Sequence, residues 1–174
     1  LILTVAAAVS IFTLSNKNAT DAVLEVAEVA AERASWEVTS YSNLASELGV
    51  NKILCDPNST EAQKNDILNR RAEQYGLQRC NFIDSNGMGI DGNDYSDRAY
   101  FQAAMDGRSL VSDPLISKRT GKLTIIVAAP LWKDGIAGGT PIGCVYVVPD
   151  EEFLNDIVRS ITYGEEGSAF ILSK

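Results

Sequence analysis

The sequence contains no histidine among its 174 residues. This absence removes histidine-based acid–base catalysis, Ser-His-Asp and Cys-His nucleophile systems, and most zinc and iron sites. Cysteine is also scarce: Cys55, Cys80 and Cys144 are widely spaced, as buried apolar residues are, and indicate neither a disulfide framework nor a metal cluster. Only 15 basic residues oppose 23 acidic ones, and the net charge of −8 argues against nucleic acid as a partner. We expect no cofactor.

The chain opens with an uncharged apolar segment. Residues 1–16 contain no charged side chain, and in a helix their apolar side chains would lie on all sides rather than along one stripe. A helix needs about 20 such residues to span a bilayer, and the sequence begins with Leu1 rather than Met. We predict that residues 1–16 are the C-terminal part of a transmembrane helix. The hydrophobic region of a signal peptide and a buried helix of a globular domain are the alternatives.

Residues 17–50 are predicted to form a long stalk helix with an apolar seam. The seam residues recur at alternating spacings of three and four, namely Leu24, Ala27, Ala31, Ala34, Val38, Tyr41, Ala45 and Leu48. Gly49 is placed to end this helix. The small side chains of the seam indicate close packing, either against a second copy of the chain or against the rest of the domain. The sequence leaves both possibilities open.

After the long helix the pattern predicts an α+β fold, in which an antiparallel sheet carries short inserted helices. Asn58 and Glu61 are the predicted capping box of a helix that ends near Gly76, and Ser96 is the predicted cap of a short helix. The predicted strands cover 78–83, 109–116, 122–132 and 143–148, and a helix over 150–161 and a strand beginning at 167 follow.

The acidic residues do not form a convincing catalytic or metal site. Asp91, Asp94 and Asp97 have a spacing that departs from the EF-hand calcium loop. Glu165 and Glu166 are adjacent, and neighbours along a chain do not face each other as paired carboxylates must. We therefore expect the protein not to be an enzyme.

The segment around Arg98 is the most informative part of the sequence. Arg98 falls in the first turn of a predicted helix, where a cation opposes the helix dipole, and Tyr95, Tyr100 and Phe101 flank it. An arginine between aromatic walls can bind a small carboxylate through a bidentate fork. The alternative is an ion pair of Arg98 with Asp97 or Asp113, with the aromatic residues in the core. The residues alone leave both open.

Four motifs in order resemble the double Cache (PDC-type) extracellular sensor domain of bacterial methyl-accepting chemotaxis proteins. They are Tyr95-Ser-Asp-Arg-Ala-Tyr-Phe-Gln-Ala-Ala, Ser112-Asp-Pro, Thr120-Gly-Lys-Leu-Thr-Ile-Ile-Val-Ala-Ala-Pro-Leu and Gly143-Cys-Val-Tyr-Val-Val. The resemblance implies a membrane-distal module with a PAS-like sheet over residues 51–161. The segment 162–174 is similar to the start of a membrane-proximal module.

The resemblance also implies a ligand site. In this family an arginine just before an aromatic pair binds the ligand, and Arg98, Tyr100 and Phe101 fall on those positions. We expect Tyr95 to be a further wall and Asp113 and Ser117 to be hydrogen-bond partners. The amino-acid-binding subfamily has ammonium-binding residues where this chain has Asn93, Leu115, Ser117 and Val148. These departures argue against an α-amino acid and leave a carboxylate or a neutral polar metabolite.

The resemblance implies the extracytoplasmic sensor domain of a bacterial chemoreceptor in the cell membrane. We expect it to bind a small polar or carboxylate ligand, to reach the membrane through its N-terminal helix and to form a homodimer. The alternatives are the sensor domain of a histidine kinase or nucleotide cyclase, and a dimerisation or protein-docking module without a small ligand.

Overall fold

The computed structural model of the protein describes residues 2–150. Its helices are α1 (Ile2–Gly49), α2 (Lys52–Cys55), α3 (Glu61–Gln74) and α4 (Ala99–Met105). Its strands are β1 (Arg79–Asp84), β2 (Leu110–Val111), β3 (Leu115–Ile116), β4 (Leu123–Thr124), β5 (Val127–Trp132) and β6 (Pro141–Val148). The helix predicted over 150–161, the strand predicted from 167 and the module predicted over 162–174 lie outside the described residues, apart from Asp150.

The described residues divide into two compact units, 2–36 and 37–150. In the first unit the described residues, 2–36, are all part of α1. Across residues 2–150, no helix combines the length and the apolar character that crossing a bilayer requires. The membrane assignment of residues 1–16 stays a prediction.

The second unit is built on an antiparallel sheet with the strand order β1-β6-β5-β2. The central strand β6 is buried from Gly143 to Val148, as expected for a strand covered on both faces. Strands β3 and β4 form a separate two-stranded hairpin, in which Leu115 pairs with Thr124 and Ile116 with Leu123. This arrangement confirms the predicted α+β class with a PAS-like sheet.

The two faces of the sheet carry separate hydrophobic cores. One face packs against α1, α2 and α3, and its buried residues include Leu44, Leu48, Leu54, Leu68, Val127, Ala129, Leu131, Val145 and Val147. The opposite face packs against α4 and the loop before it, and its buried residues include Ile83, Tyr95, Tyr100, Phe101, Ala104, Ala128, Cys144, Tyr146 and Val148. Burying apolar area at roughly 25 cal/mol per Å² makes these two layers the main source of stability. All three cysteines are buried and unpaired.

Several local predictions need correction. The capping box of α3 is formed by Thr60 and Gln63, not by Asn58 and Glu61, because Asn58 is engaged in a turn with the Asp56 carboxylate. Helix α4 begins at Ala99 rather than Asp97, since the backbone of Arg98 bonds to Tyr95 and closes a turn there.

The strands predicted over 109–116 and 122–132 are each broken into two. Leu110–Val111 and Val127–Trp132 belong to the main sheet, whereas Leu115–Ile116 and Leu123–Thr124 form the hairpin. The short helix Lys52–Cys55, capped by the Asn51 side chain, was not predicted.

Gly49 is required for a reason other than ending α1. It is the last residue of the helix, and a Cβ atom built on it would lie 2.2 Å from the backbone oxygen of Pro130 in β5. We expect Gly49→Ala to lower the free energy of unfolding by ~1–3 kcal/mol, because neither backbone can yield without moving the packed layer. Urea denaturation measures this loss. Ser46→Ala, on the exposed side of the same helix, is the control and should be nearly neutral. An unchanged midpoint for Gly49→Ala would show that α1 is not seated against β5.

Candidate ligand-binding site

Three buried tyrosines form a cluster, called here the tyrosine cluster, on the α4 face of the sheet. The ring of Tyr146 in β6 lies 5.8 Å from the ring of Tyr100 in α4 and 6.2 Å from the ring of Tyr95, both at tilted angles. The phenol of Tyr95 donates to the Asp91 carboxylate at 2.7 Å, and the phenol of Tyr146 accepts from the Asn81 amide at 3.1 Å. Because both phenols are held by polar partners, the cluster is a fixed wall with a polar rim.

Backbone contacts before α4 place Tyr95 against this wall. The Tyr95 amide donates to the carbonyl of Gly87 at 2.8 Å, and a Cβ atom on Gly89 would lie 2.6 Å from the Tyr95 ring. Glycine at position 89 therefore lets the ring approach the loop backbone. The turn that follows leaves Arg98 at the N-cap of α4, with no side-chain capping bond.

Two arginine side chains reach the same short stretch of the β3–β4 hairpin. Arg98 Nη2 donates to the carbonyl of Ile116 at 3.2 Å, and Arg79 Nη2 donates to the hydroxyl of Ser117 at 3.1 Å. The Nε atoms of both arginines are buried and make no hydrogen bond among the described residues. The nearest carboxylate to Arg98 is that of Asp97, 3.9 Å from Nε, which is beyond hydrogen-bond distance. Each of the two arginines therefore has a donor that no acceptor among residues 2–150 satisfies.

The turn of the hairpin is held over the cluster by Lys118. Its ammonium donates to the Asp97 carboxylate and to the carbonyl of Asp94, both at 2.6 Å, and lies 5.8 Å from the centre of the Tyr95 ring. Asp97 is thus engaged mainly by Lys118, and Lys118 lowers the pKa of Asp97 below its ordinary value by hydrogen bonding and by its charge. Asp97 also forms a looser ion pair with Arg98, at 3.9 Å, so Lys118 and Arg98 share one exposed carboxylate.

The charges and hydrogen bonds around the cluster shift the pKa values of Tyr100 and Asp91. Burial raises the pKa of the Tyr100 phenol, with a further rise from Tyr146, while the positive charges of Arg98 and Arg79 act in the opposite direction. Burial alone would raise the pKa of Asp91, but hydrogen bonds from Tyr95 and Asn93 and the charge of Arg119 outweigh it, so that the pKa lies below its usual value. Asp91 is therefore ionised at neutral pH.

A cavity of about 400 Å³ lies at the edge strand β1, between α3 and the loop around Asp91. Its lining is mostly polar and includes Asn65, Asn69, Arg79, Asn81, Asp91 and Arg119. This volume lies in the range of small-molecule sites. Arg79 borders the cavity on one side and bonds to Ser117 of the hairpin on the other.

The structure brings four of the six predicted site residues together: Arg98, Tyr95, Tyr100 and Ser117. The fifth, Phe101, is buried in the same core. The sixth, Asp113, is exposed between β2 and β3 and forms no ion pair with Arg98 among residues 2–150. The sequence analysis did not identify Arg79 and Asn81 as site residues. The alternation of side chains along β1 could have indicated them, because it places Arg79, Asn81 and Ile83 on one face of the strand. Asn81 is paired there with Tyr146 of β6.

Removing the Tyr95 hydroxyl should weaken the domain in a pH-dependent way. Since the pKa of Asp91 is lowered by folding, its contribution to stability is present above the ordinary carboxyl pKa of about 3.9 and is lost as the pH falls through the lowered value. We expect Tyr95→Phe to cost ~1.5–3 kcal/mol at neutral pH and less below about pH 4. Urea denaturation at both pH values tests this, with the exposed Tyr75→Phe as the control. A loss that does not change with pH would contradict it.

The sequence profile of the Cache domain family matches residues 13–174, nearly the whole chain. The chain belongs to the Cache domain family. Among curated protein sequences, none matches this Cache domain. Cache domains of chemoreceptors are ligand-binding sensor domains outside the cytoplasm.

Solved chemoreceptor domains share the fold. The ligand-binding domain of Campylobacter jejuni Tlp3 in complex with 4-methylisoleucine has a TM-score of 0.65 and 19% identity, covering 82% of this chain and 61% of that domain. Pseudomonas aeruginosa PctC in complex with GABA gives 0.62 and 16%, covering 79% and 65%. Pseudomonas fluorescens CtaA in complex with L-serine gives 0.61 and 20%, covering 81% and 62%. This Cache domain thus spans about three fifths of the length of these domains.

Proposed function

We propose that this Cache domain is the extracytoplasmic sensor of a bacterial transmembrane chemoreceptor and binds a small polar metabolite with at least one carboxylate. Arg98 carries the proposal: its Nε is buried without a hydrogen-bond partner among the described residues, beside a wall of buried tyrosines. A carboxylate would complete this donor set through a charge-assisted fork. The related solved domains are complexes with isoleucine, GABA and serine, all small molecules that carry a carboxylate.

The mechanism we propose is non-catalytic. A ligand bound between the tyrosine cluster and the β3–β4 hairpin would favour the arrangement in which the hairpin is closed by the Lys118 contacts. The α1 helix packs on the other face of the same sheet through Leu44 and Leu48, so a shift of the sheet bears directly on α1. Signal transmission is then a shift in population between two arrangements of sheet and helix.

A thermal-shift screen of the full chain against small carboxylates, amino acids and neutral polar metabolites tests the function. A ligand at 100 times its Kd adds about 2.7 kcal/mol of stability, which is a clear rise in Tm. At least one carboxylate should produce such a rise, and neutral analogues of the same shape should not. If no small molecule does so while a soluble protein partner does, the domain is a docking module.

Self-association along α1 is a second part of the proposal. Several apolar side chains on α1 are exposed, including Leu24 at 61%, Val29 at 62% and Trp36 at 74%. Exposed apolar residues at this density on one helix are typical of a contact surface. We propose that the protein is a homodimer joined through α1 and anchored in the membrane by the segment that contains residues 1–16.

A further inference from the structure

Arg79 is an unusual residue for the buried face of a strand. It lies at the start of β1, on the face that carries Asn81 and Ile83, and its Nε is buried without an acceptor among the described residues. Its hydrogen-bonding partners within residues 2–150 are neutral: Nη1 donates to the Gln78 side chain at 2.7 Å and Nη2 to the Ser117 hydroxyl at 3.1 Å. Arg79 is itself only half-buried, but its buried Nε is a charged donor that no acceptor among residues 2–150 satisfies.

A second cation reaches the same part of the hairpin. Arg98 and Arg79 bond to the adjacent residues Ile116 and Ser117, and both positive charges act on the Tyr100 phenol. Two guanidinium groups that approach one hairpin strand repel each other, and Arg119 adds a third positive charge beside Asp91. The carboxylates that face these groups are Asp97, which Lys118 engages, and Asp91, which binds the Tyr95 phenol. The site therefore carries an excess of positive charge on a chain whose net charge is −8.

We propose that Arg79 is a second ligand-binding cation and that this site takes a short dicarboxylate, one carboxylate at Arg98 and the other at Arg79. This inference rests on the proposed function. A dianion supplies acceptors for both buried Nε atoms and neutralises both charges, whereas a single carboxylate supplies only one. An α-amino acid fits less well, because its ammonium group would face a guanidinium instead of a carboxylate.

The space around Arg79 suits such a ligand. The cavity of about 400 Å³ at the edge of β1 borders Arg79 directly, and the amides of Asn65, Asn69 and Asn81 line it. Amide groups can donate hydrogen bonds to the outer oxygens of a carboxylate. A carboxylate at Arg79 can therefore reach water through the cavity, while the carboxylate at Arg98 lies against the tyrosine cluster.

Succinate, its monoamide succinamate and butyrate are similar in length but differ in charge. Succinate has two carboxylates, whereas succinamate and butyrate have one. Calorimetry on the full chain should give a Kd for succinate at least tenfold lower than for succinamate or butyrate. In Arg79→Gln the advantage of succinate should disappear, while binding of the monoanions through Arg98 persists. The Tm of Arg79→Gln without ligand should be unchanged or higher, because a buried unsatisfied donor has been removed; a structural arginine would give a lower Tm. Arg79→Lys keeps the positive charge and should retain part of the preference for succinate over the monoanions.

The outcomes separate the two proposals. Equal affinity for succinate and succinamate in the wild-type chain overturns the dicarboxylate inference even if the variant fails to fold, and leaves the sensor function standing. Tight binding of an α-amino acid with no effect of Arg79→Gln overturns it as well. A chain that binds no small molecule in the wider screen overturns the sensor function itself.

Discussion

Replacing Arg98 by alanine is expected to abolish the thermal shift produced by a carboxylate ligand. The positive charge of Arg98 acts on the Tyr100 phenol, and its Nε has no acceptor among the described residues. Losing a desolvated, charge-assisted contact should cost ~2–5 kcal/mol of binding, a decrease in affinity of roughly thirtyfold or more. Arg98→Lys should restore little, because an ammonium group cannot form the planar fork.

The same substitution should affect folding much less than binding. Among the described residues the Arg98 side chain makes one hydrogen bond, to the Ile116 carbonyl, and a loose ion pair with the exposed Asp97, so we expect a loss of about 1 kcal/mol. Arg108→Ala removes an exposed arginine next to α4 that pairs with Asp106, and it should change neither binding nor stability. Calorimetry and urea denaturation on the three variants and the wild type give all the values needed. Unchanged affinity in Arg98→Ala, or outright unfolding, would make Arg98 a structural residue.

A glutamate at Ala45 is expected to destabilise the domain severely, whereas a glutamate at Ala31 should not. Both positions belong to the apolar seam of α1. Ala45 is fully buried between α1 and the sheet, and Ala31 is exposed. A buried, unpaired carboxylate at position 45 should cost about 3 kcal/mol or more, while an exposed substitution at position 31 should stay within about 0.5 kcal/mol.

Sedimentation adds the second half of this test. If the chain associates through the exposed part of α1, Ala31→Glu should lower self-association without changing the melting temperature. Ala45→Glu should instead unfold the sheet at any protein concentration. A neutral Ala45→Glu would show that the seam does not pack on the domain, and a destabilising Ala31→Glu would show that the seam packs along its whole length.

The sequence allowed the fold class and most elements to be predicted because the signals were local and repeated. Many residues spaced three and four apart along α1 predict the same helix, and every apolar residue in the run of β6 predicts the same buried strand. The predicted caps of α3 and α4 were wrong, because the start of a helix depends on one or two residues. Ser96 has the right chemistry for a cap, but the bond of Tyr95 to Gly87 and the turn to Arg98 move the helix start to Ala99. Such tertiary contacts cannot be read from the composition of a turn.

The candidate site was predicted on its α4 side and at Ser117 of the hairpin, but not on the side formed by β1 and β6. Arg98 and its aromatic neighbours are contiguous in the sequence, and the resemblance to a known family marked them. Arg79, Asn81 and Tyr146 come from β1 and β6, which are far apart in the chain and meet only through the register that pairs Asn81 with Tyr146. Alternation alone could place Arg79 on the same face as Ile83, but it could not show which face α4 covers. Asp113 illustrates the opposite error, since its nearness in sequence to Ser117 does not bring it into the site.

The central claim is that the α4 face of the sheet, and not the face that carries α1, binds the ligand. An NMR titration of the isotope-labelled chain with the carboxylate that gives the largest rise in Tm tests this directly, because every backbone amide reports its own surroundings. The largest shift changes should cluster at Arg79, Arg98, Tyr100 and Ser117, and Arg98→Ala should remove them at the same ligand concentration. Shift changes concentrated instead around Leu54 and Phe82, which line a cavity on the opposite face, would contradict the assignment.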